Sequence, residues 1–285
     1  VSALPATVAT VSSGEVVVSP EASYAVLAGD QASPVVLHVP HSSREIPGWV
    51  RERILLDDDA LRAELDAMTD AWTDRIAAAA VDSAVRTEAP RPWSFVNRFS
   101  RLVIDPERFA DPDREDMTHV GMGAVYTATH DRGVLRDVDD VHAEALMSAY
   151  YRPYAEALAE LVEQRLIACG RALVIDVHSY PRDLLPYERH PAAARPAVCL
   201  GADATHTPVS LRTAAERAFA AWDPLWDQPF VGTYVPTRHY EADARVSSVM
   251  VEIRRDVYLA PDGSPDPRAV GELGAALAEL ATWTP

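Results

Sequence analysis

The chain has 285 residues, 48% of them hydrophobic, and a formal net charge of -17. That length suits one large α/β domain or two modest ones, and the apolar fraction is too high for a disordered protein. The charge argues against nucleic acid or an anionic membrane as the main partner, because phosphates would be repelled, and any anionic small substrate needs a local arginine pocket.

No apolar run is long enough to span a bilayer. The opening Val1-Ser-Ala-Leu-Pro5 lacks the basic start and apolar core of a signal peptide, so the expected location is cytoplasmic. The two cysteines, Cys169 and Cys199, sit in apolar surroundings near expected strand starts and read as small core residues rather than a disulfide or metal pair.

In chain order, residues 1–30 form an edge strand or loose arm around Val16–Val18. Pro34–Val39 reads as a buried strand ended by Pro40. Leu61, Leu65, Met68, Trp72 and Ile76 recur at helical spacing and predict one helix over 57–80, with Asp57–Asp59 enriching its first turn in acids. Strand-type segments follow around Phe95-Val96 and Leu102-Val103-Ile104. Residues 106–136, rich in Asp, Arg and Gly, read as a long functional loop. A strong amphipathic helix spans about 139–169, with Leu146, Tyr150, Tyr154, Leu158, Leu161 and Cys169 on one face, a bend at Pro153 and a stop at Gly170. Ala172–Val177, Val198–Leu200 and Ser248–Ile253 read as strands, and 208–222 and 266–282 as helices. Strands alternating with helices predict one α/β domain over 1–285, a sandwich with a mostly parallel sheet.

Most of the nine histidines need no special account. His119, His142, His190 and His206 lie in polar or helical contexts and are expected to be solvated, and His38 reads as a hydrogen-bonded core residue. His41 and His178 differ: each follows a buried strand directly, where open α/β sheets bind ligands. Imidazole is the commonest catalytic zinc ligand, and a catalytic zinc needs three protein ligands and one open position. Spacing alone leaves the third ligand open. Glu45 sits in a loop, and Asp70 and Asp74, four apart, fit a solvated acidic helix face. Glu252 interrupts an apolar strand, either as a general base or as the partner of Arg254 two residues on. Asp176 lies two residues before His178 and faces the same way, placed to orient a ligand from behind. Arg98 and Arg101, with Asn97, are either surface ion-pair residues or a carboxylate grip. No Gly-x-Ser-x-Gly elbow, Walker A loop, Rossmann fingerprint or His-Glu-x-x-His helix is present.

Six motifs together make a resemblance. Val39-Pro-His41-Ser-Ser-Arg-Glu-Ile-Pro47, Thr69-Asp70-Ala-Trp-Thr-Asp74, Val96-Asn97-Arg98 through Asp105, Asp176-Val-His178-Ser179, Gly232-Thr-Tyr with His239-Tyr240, and Val251-Glu252-Ile-Arg254 through Tyr258 resemble, in order and spacing, those of N-formylglutamate amidohydrolases from about residue 22 to 259. The resemblance implies the fold of zinc carboxypeptidases and aspartoacylases, a three-layer α/β sandwich with a central mixed, mostly parallel sheet. It implies one zinc ion per chain held by His41, His178 and a carboxylate, with Asp70 preferred over Glu45, and Glu252 as general base and acid. It implies Asn97 and Arg98 on the substrate carboxylate, Arg98 also on the oxyanion, with Arg101, Arg254 and His239 as further substrate contacts. The activity implied is release of formate from N-formyl-L-glutamate, a step of histidine degradation. Another acyl-amino-acid deacylase or small carboxypeptidase is the rival on this fold, and a non-catalytic binder of acidic amino acids the rival of another class. Two positions depart from the pattern: Ser43 stands where Gly is usual, and Pro153-Tyr154-Ala155 where Pro-Tyr-His is expected, which leaves room for a different amide.

Overall fold

The computed structural model of the chain describes residues 16–17, 22–188 and 193–285. Eight strands build one sheet: β1 (Val16–Val17), β2 (Tyr24–Leu27), β3 (Val35–Val39), β4 (Trp93–Asn97), β5 (Ala172–Tyr180), β6 (Val198–Gly201), β7 (Leu225–Trp226) and β8 (Val246–Arg254). Their spatial order is β1-β2-β4-β3-β5-β8-β6-β7. The central four, β4-β3-β5-β8, run parallel. The pairs β1–β2, β2–β4 and β6–β8 are antiparallel, so the sheet is mixed, as expected. The helices are α1 (Gly48–Arg51), α2 (Asp58–Met68), α3 (Thr73–Arg86), α4 (Asp140–Leu146), α5 (Arg152–Cys169), α6 (Val209–Ala218) and α7 (Pro267–Ala281). The expected arm over residues 1–21, apart from Val16–Val17, and His190 lie outside the described residues.

Strand alternation sorts the side chains into two layers. Val35, Leu37 and Val39 of β3 join Leu173, Ile175 and Val177 of β5 and Val249, Val251 and Ile253 of β8 in a core packed on α3, α6 and α7. On the opposite face, Val36, Ala172, Val174 and Val246 pack against Tyr154, Leu158, Leu161, Val162 and Leu166 of α5. Each such buried aliphatic is worth about 1.5–3 kcal/mol. The α5-side rows then turn polar toward the carboxyl ends of the strands. Val36 leads to His38, Val174 to Asp176 and His178, and Ser248 to Met250 and Glu252. The apolar stretch holds α5, and the polar stretch forms the floor of a cavity.

Several expectations are corrected. The single helix over 57–80 is two helices. Asp57 caps α2 by accepting from the Ala60 N–H, but α2 stops at Met68 and α3 starts at Thr73. In the break, the Asp70 N–H donates to the His41 carbonyl at 3.0 Å, and the Thr73 hydroxyl donates to the Asp70 carbonyl at 2.9 Å. Trp72 takes a left-handed φ of 65° and donates its indole N–H to the Gly263 carbonyl. These bonds turn Asp70 inward, while Asp74 stays partly exposed. Leu102–Ile104 is buried turn, not strand, closed by Leu102 N–H to Ser100 Oγ and Val103 N–H to the Ser100 carbonyl. The bend expected at Pro153 is a π-type turn over Met147–Tyr151 joining α4 to α5, with the proline in the first turn of α5. Cys169 is the last residue of α5 and only partly buried, whereas Cys199 is fully buried; both are free thiols. His142 and His206 are buried rather than solvated, His206 through bonds to the Val246 carbonyl and the Glu241 N–H.

Helix α7 lies against α3 at Gly274, where an added Cβ would stand 2.5 Å from Ala79 Cβ and 2.7 Å from its carbonyl carbon. Gly274→Ala is therefore expected to cost about 1–3 kcal/mol, because backbone cannot yield as a side chain would, despite the better helix propensity of alanine. A thermal melt checks it, and an unchanged or raised Tm would contradict this packing.

Candidate active site

The cavity above the polar rows has a volume of about 650 Å³. His41 follows β3, His178 lies near the end of β5, and Glu252 sits beside His178 on β8 in direct parallel register. Asp70 reaches the same place from the break between α2 and α3. His41 Nδ1 and His178 Nδ1 are 3.3 Å apart, and Asp70 Oδ2 lies 3.6 Å from the first and 3.1 Å from the second. All four residues are at least nine-tenths buried.

Three donor atoms converging at such separations fit one tetrahedral dication: ligands at 2.0–2.2 Å from zinc stand roughly 3.3–3.6 Å from one another. Without a cation, two imidazole nitrogens would face each other in a buried site. A second carboxylate, Glu107, also reaches both rings, 3.5 Å from His41 Nε2 and 3.3 Å from His178 Nε2. The Nδ1 set with Asp70 is the better ligand set. It leaves His41 Nε2 3.0 Å from Asp105 and His178 Nε2 3.1 Å from Asp176, so each ring's other N–H has a buried carboxylate to accept it. Glu45, the alternative third ligand, is exposed in the loop after β3 and lines no part of the cavity.

The electrostatics follow from burial and neighbours. Burial opposes ionisation of Asp70, but hydrogen bonds from His178 and His41 outweigh it and hold the carboxyl below the usual range. Burial likewise disfavours the Asp105 carboxylate and is overcome by Arg101, His41 and Arg108. Burial also disfavours a charged His178, yet Glu107 and Asp176 raise it well above an ordinary histidine. Glu252 goes the other way. Burial pushes its carboxyl up to about 8, with His178, Arg101 and His41 opposing and Asp70 adding to the rise. Its Oε2 is buried with no hydrogen-bond partner, and Arg254 does not supply one: that guanidinium turns to Asp256 at 2.7 Å and the Arg195 carbonyl at 2.5 Å. The Glu252–Arg254 pair considered from sequence is therefore not formed.

Of the other expected site residues, Arg101 lines the cavity, bonded to Tyr126 and to Asp105 at 2.8 Å. Asn97, Arg98, Arg254 and His239 do not line it. Asn97 is a structural brace, donating to the Pro40 carbonyl and accepting from the Phe99 N–H, which shapes the turn bearing His41. Arg98 donates to the Ala22 carbonyl at the sheet edge. His239 is buried in a turn next to the cavity-lining Tyr240, its own side chain 3.9 Å from Glu163 of α5. Three residues were not singled out from sequence: Glu107, Arg108 and Arg255. Arg255 donates to the Ala67 carbonyl at 2.8 Å and stands 3.5 Å from Asp70 Oδ1. The loop signal over 106–136 covers Glu107 and Arg108 but cannot rank them among its many charges. Arg255 follows Arg254 by one residue, and only the end of β8 decides which of the two faces inward.

A crystallised N-formylglutamate amidohydrolase from Ralstonia eutropha JMP134 superposes with a TM-score of 0.73 at 21% identity, covering 90% of this chain and 98% of that one. A gene product of Agrobacterium tumefaciens superposes with a TM-score of 0.64 at 20% identity, covering 91% and 93%. At those identities the likeness shows the fold alone. A search of curated proteins found no match. The sequence model of one family, N-formylglutamate amidohydrolase, matches residues 33–259, which include every residue of the cluster described above, and the chain therefore belongs to that family.

Proposed function

We propose that the chain is a metal-dependent amidohydrolase that releases formate from N-formyl-L-glutamate or a closely similar N-acyl amino acid, with one zinc ion held by His41, His178 and Asp70. The observation that carries this reading is the convergence of the two Nδ1 atoms and Asp70 Oδ2 beside the unpartnered Oε2 of Glu252. A zinc ion so held supplies Lewis acidity toward the amide oxygen and lowers the pKa of water at the site. Glu252 takes one proton from the attacking water and returns it to the amide nitrogen as the carbon–nitrogen bond breaks, leaving formate and a free amine. Arg101, Arg108 and Arg255 line the cavity and serve the substrate carboxylates, so that binding energy orients the amide. Arg101 and Arg108 are kept charged because Asp105 and Tyr126 lie beside them, against the cost of burial. The setting we propose is cytoplasmic; among the described residues no helix is long and apolar enough to cross a membrane.

Metal analysis of purified protein, paired with formate release before and after chelation, tests the proposal. About one zinc per chain and chelator-sensitive formate release are the expected results. Zinc without formate release would move the search to other N-acyl amino acids. Neither metal nor activity on adding zinc would favour a non-catalytic binder.

A further inference from the structure

Behind His178 runs a buried chain of polar groups that the proposed chemistry does not use directly. His178 Nε2 stands 3.1 Å from Asp176 Oδ1, and the same oxygen is 2.8 Å from His38 Nδ1. His38 Nε2 is 2.7 Å from the Tyr154 hydroxyl on α5, and Asp176 Oδ2 accepts from the Tyr234 N–H at 3.2 Å. His38 is completely buried and Tyr154 nearly so. Asp176 is the register neighbour of His38 on the adjacent strand, so the pairing is built into the sheet.

Proton counting fixes the direction of every bond. A carboxylate only accepts, so both imidazole nitrogens facing Asp176 must carry hydrogen. With its Nε2 hydrogen held by Asp176, His178 is in the tautomer whose Nδ1, 3.1 Å from Asp70 Oδ2, would be free to bind a metal there in place of donating to Asp70. Neutral His38 has its hydrogen on Nδ1, which leaves Nε2 as an acceptor, and the Tyr154 hydroxyl donates to it. The opposite tautomer would set the Nδ1 lone pair against the Asp176 carboxylate. Glu107 Oε1, 3.5 Å from His38 Nδ1, is the more distant acceptor. From Asp176 through His38 to Tyr154, every donor then meets an acceptor.

We propose that His38 and Tyr154 are positioning residues for the metal centre: through Asp176 they hold the His178 ring and its tautomer, and so tie helix α5 to the reaction site. The inference rests on the metal-site reading above. The Asp176 carboxylate, fixed by three donors, cannot swing away from His178, and a fixed acceptor makes Nδ1 a better ligand. Asp176 also holds Tyr234, whose loop lines the cavity, so the same carboxylate sets the position of one cavity wall.

The test compares His38→Leu, His38→Asn and Tyr154→Phe with wild type, using zinc affinity by chelator competition and kcat and KM on N-formyl-L-glutamate. Asparagine places an N–H where His38 Nδ1 stood and keeps the bond to Asp176; leucine does not. The expected result is a loss of about 10–100-fold in zinc affinity and in kcat for His38→Leu, with KM little changed, and recovery of most of it in His38→Asn. Tyr154→Phe, nearly isosteric and expected to fold, should lose severalfold in zinc affinity and alter the His38 ring-nitrogen NMR signals. Leucine and asparagine variants of equal zinc affinity, or Tyr154→Phe with wild-type affinity and unchanged signals, would overturn the proposal and leave a packing role. A wild-type protein without zinc would overturn the metal-site reading itself, and this inference with it.

Discussion

Glu252→Gln is expected to abolish turnover, by roughly 10²–10⁴-fold in kcat, while zinc content and fold remain. Glutamine fills the same space but can neither take a proton from water nor return one to the leaving nitrogen. A second consequence has the opposite sign. In the metal-free protein burial raises the Glu252 carboxyl to about 8, above its value in the unfolded chain. Unfolding therefore releases its proton more readily as pH rises from about 4.5 toward 8, and wild type loses stability over that window. Metal-free Glu252→Gln is spared that loss and should melt above metal-free wild type, by a larger margin at pH 8 than at pH 5. Near-normal turnover in the variant would remove Glu252 from the chemistry. A lower melting temperature at pH 8 would contradict the buried, unpaired carboxyl.

Asp70→Asn is the second large effect. A neutral amide is a poor ligand and brings no charge to a site that also holds His41, His178 and Arg255. Zinc affinity is expected to fall by more than the roughly 10–100-fold typical of a residue that only supports a ligand, and activity should vanish after dialysis. Excess zinc should restore part of the activity, which separates lost metal from lost chemistry; Glu252→Gln should show no such rescue. Equilibrium dialysis with metal analysis measures the first quantity and formate release the second. Unchanged affinity would pass the third position to Glu107, the other carboxylate within reach of both rings.

Much of this site was legible before any fold was known, and the reasons are local. His41 and His178 stood at strand ends, and a carboxylate in an apolar run, Glu252, stood out because burial of an unpaired charge is costly. Asp176 declared itself through strand period two, since it shares a face with His178. Asp70 was different: spacing placed it on a solvated helix face, and only the six-motif resemblance promoted it. The structure shows why spacing misled. The helix breaks at Thr69–Trp72 because backbone bonds to His41 and the φ of 65° at Trp72 turn the chain inward. Those are contacts between residues far apart in sequence, which helical periodicity cannot register.

The arginines make the same point. The family resemblance pointed to Arg98, Arg101 and Arg254 as substrate contacts and not to Arg108 or Arg255, and the cavity holds Arg101, Arg108 and Arg255. A guanidinium reaches far from its Cα, so its target depends on which acceptors surround it rather than on strand parity. Arg254 finds Asp256 and the Arg195 carbonyl outside the cavity, and Arg255 finds the Ala67 carbonyl and Asp70 inside it.

By itself, then, the sequence determined the central strands β4, β3, β5 and β8, the two faces of each and the identity of the chemically capable residues, because alternation and helical spacing are properties of a few neighbouring residues. The short outer strands β2 and β7 were not legible in it, and Leu102–Ile104, read as a strand, is a turn. Tertiary structure alone decided which of those residues meet: the inward turn of Asp70, the choice among arginines, and the chain from Tyr154 through His38 and Asp176 to His178. Each rests on pairing between segments separated by dozens of residues, where the free energy of burial and hydrogen bonding, not local conformation, selects the partner.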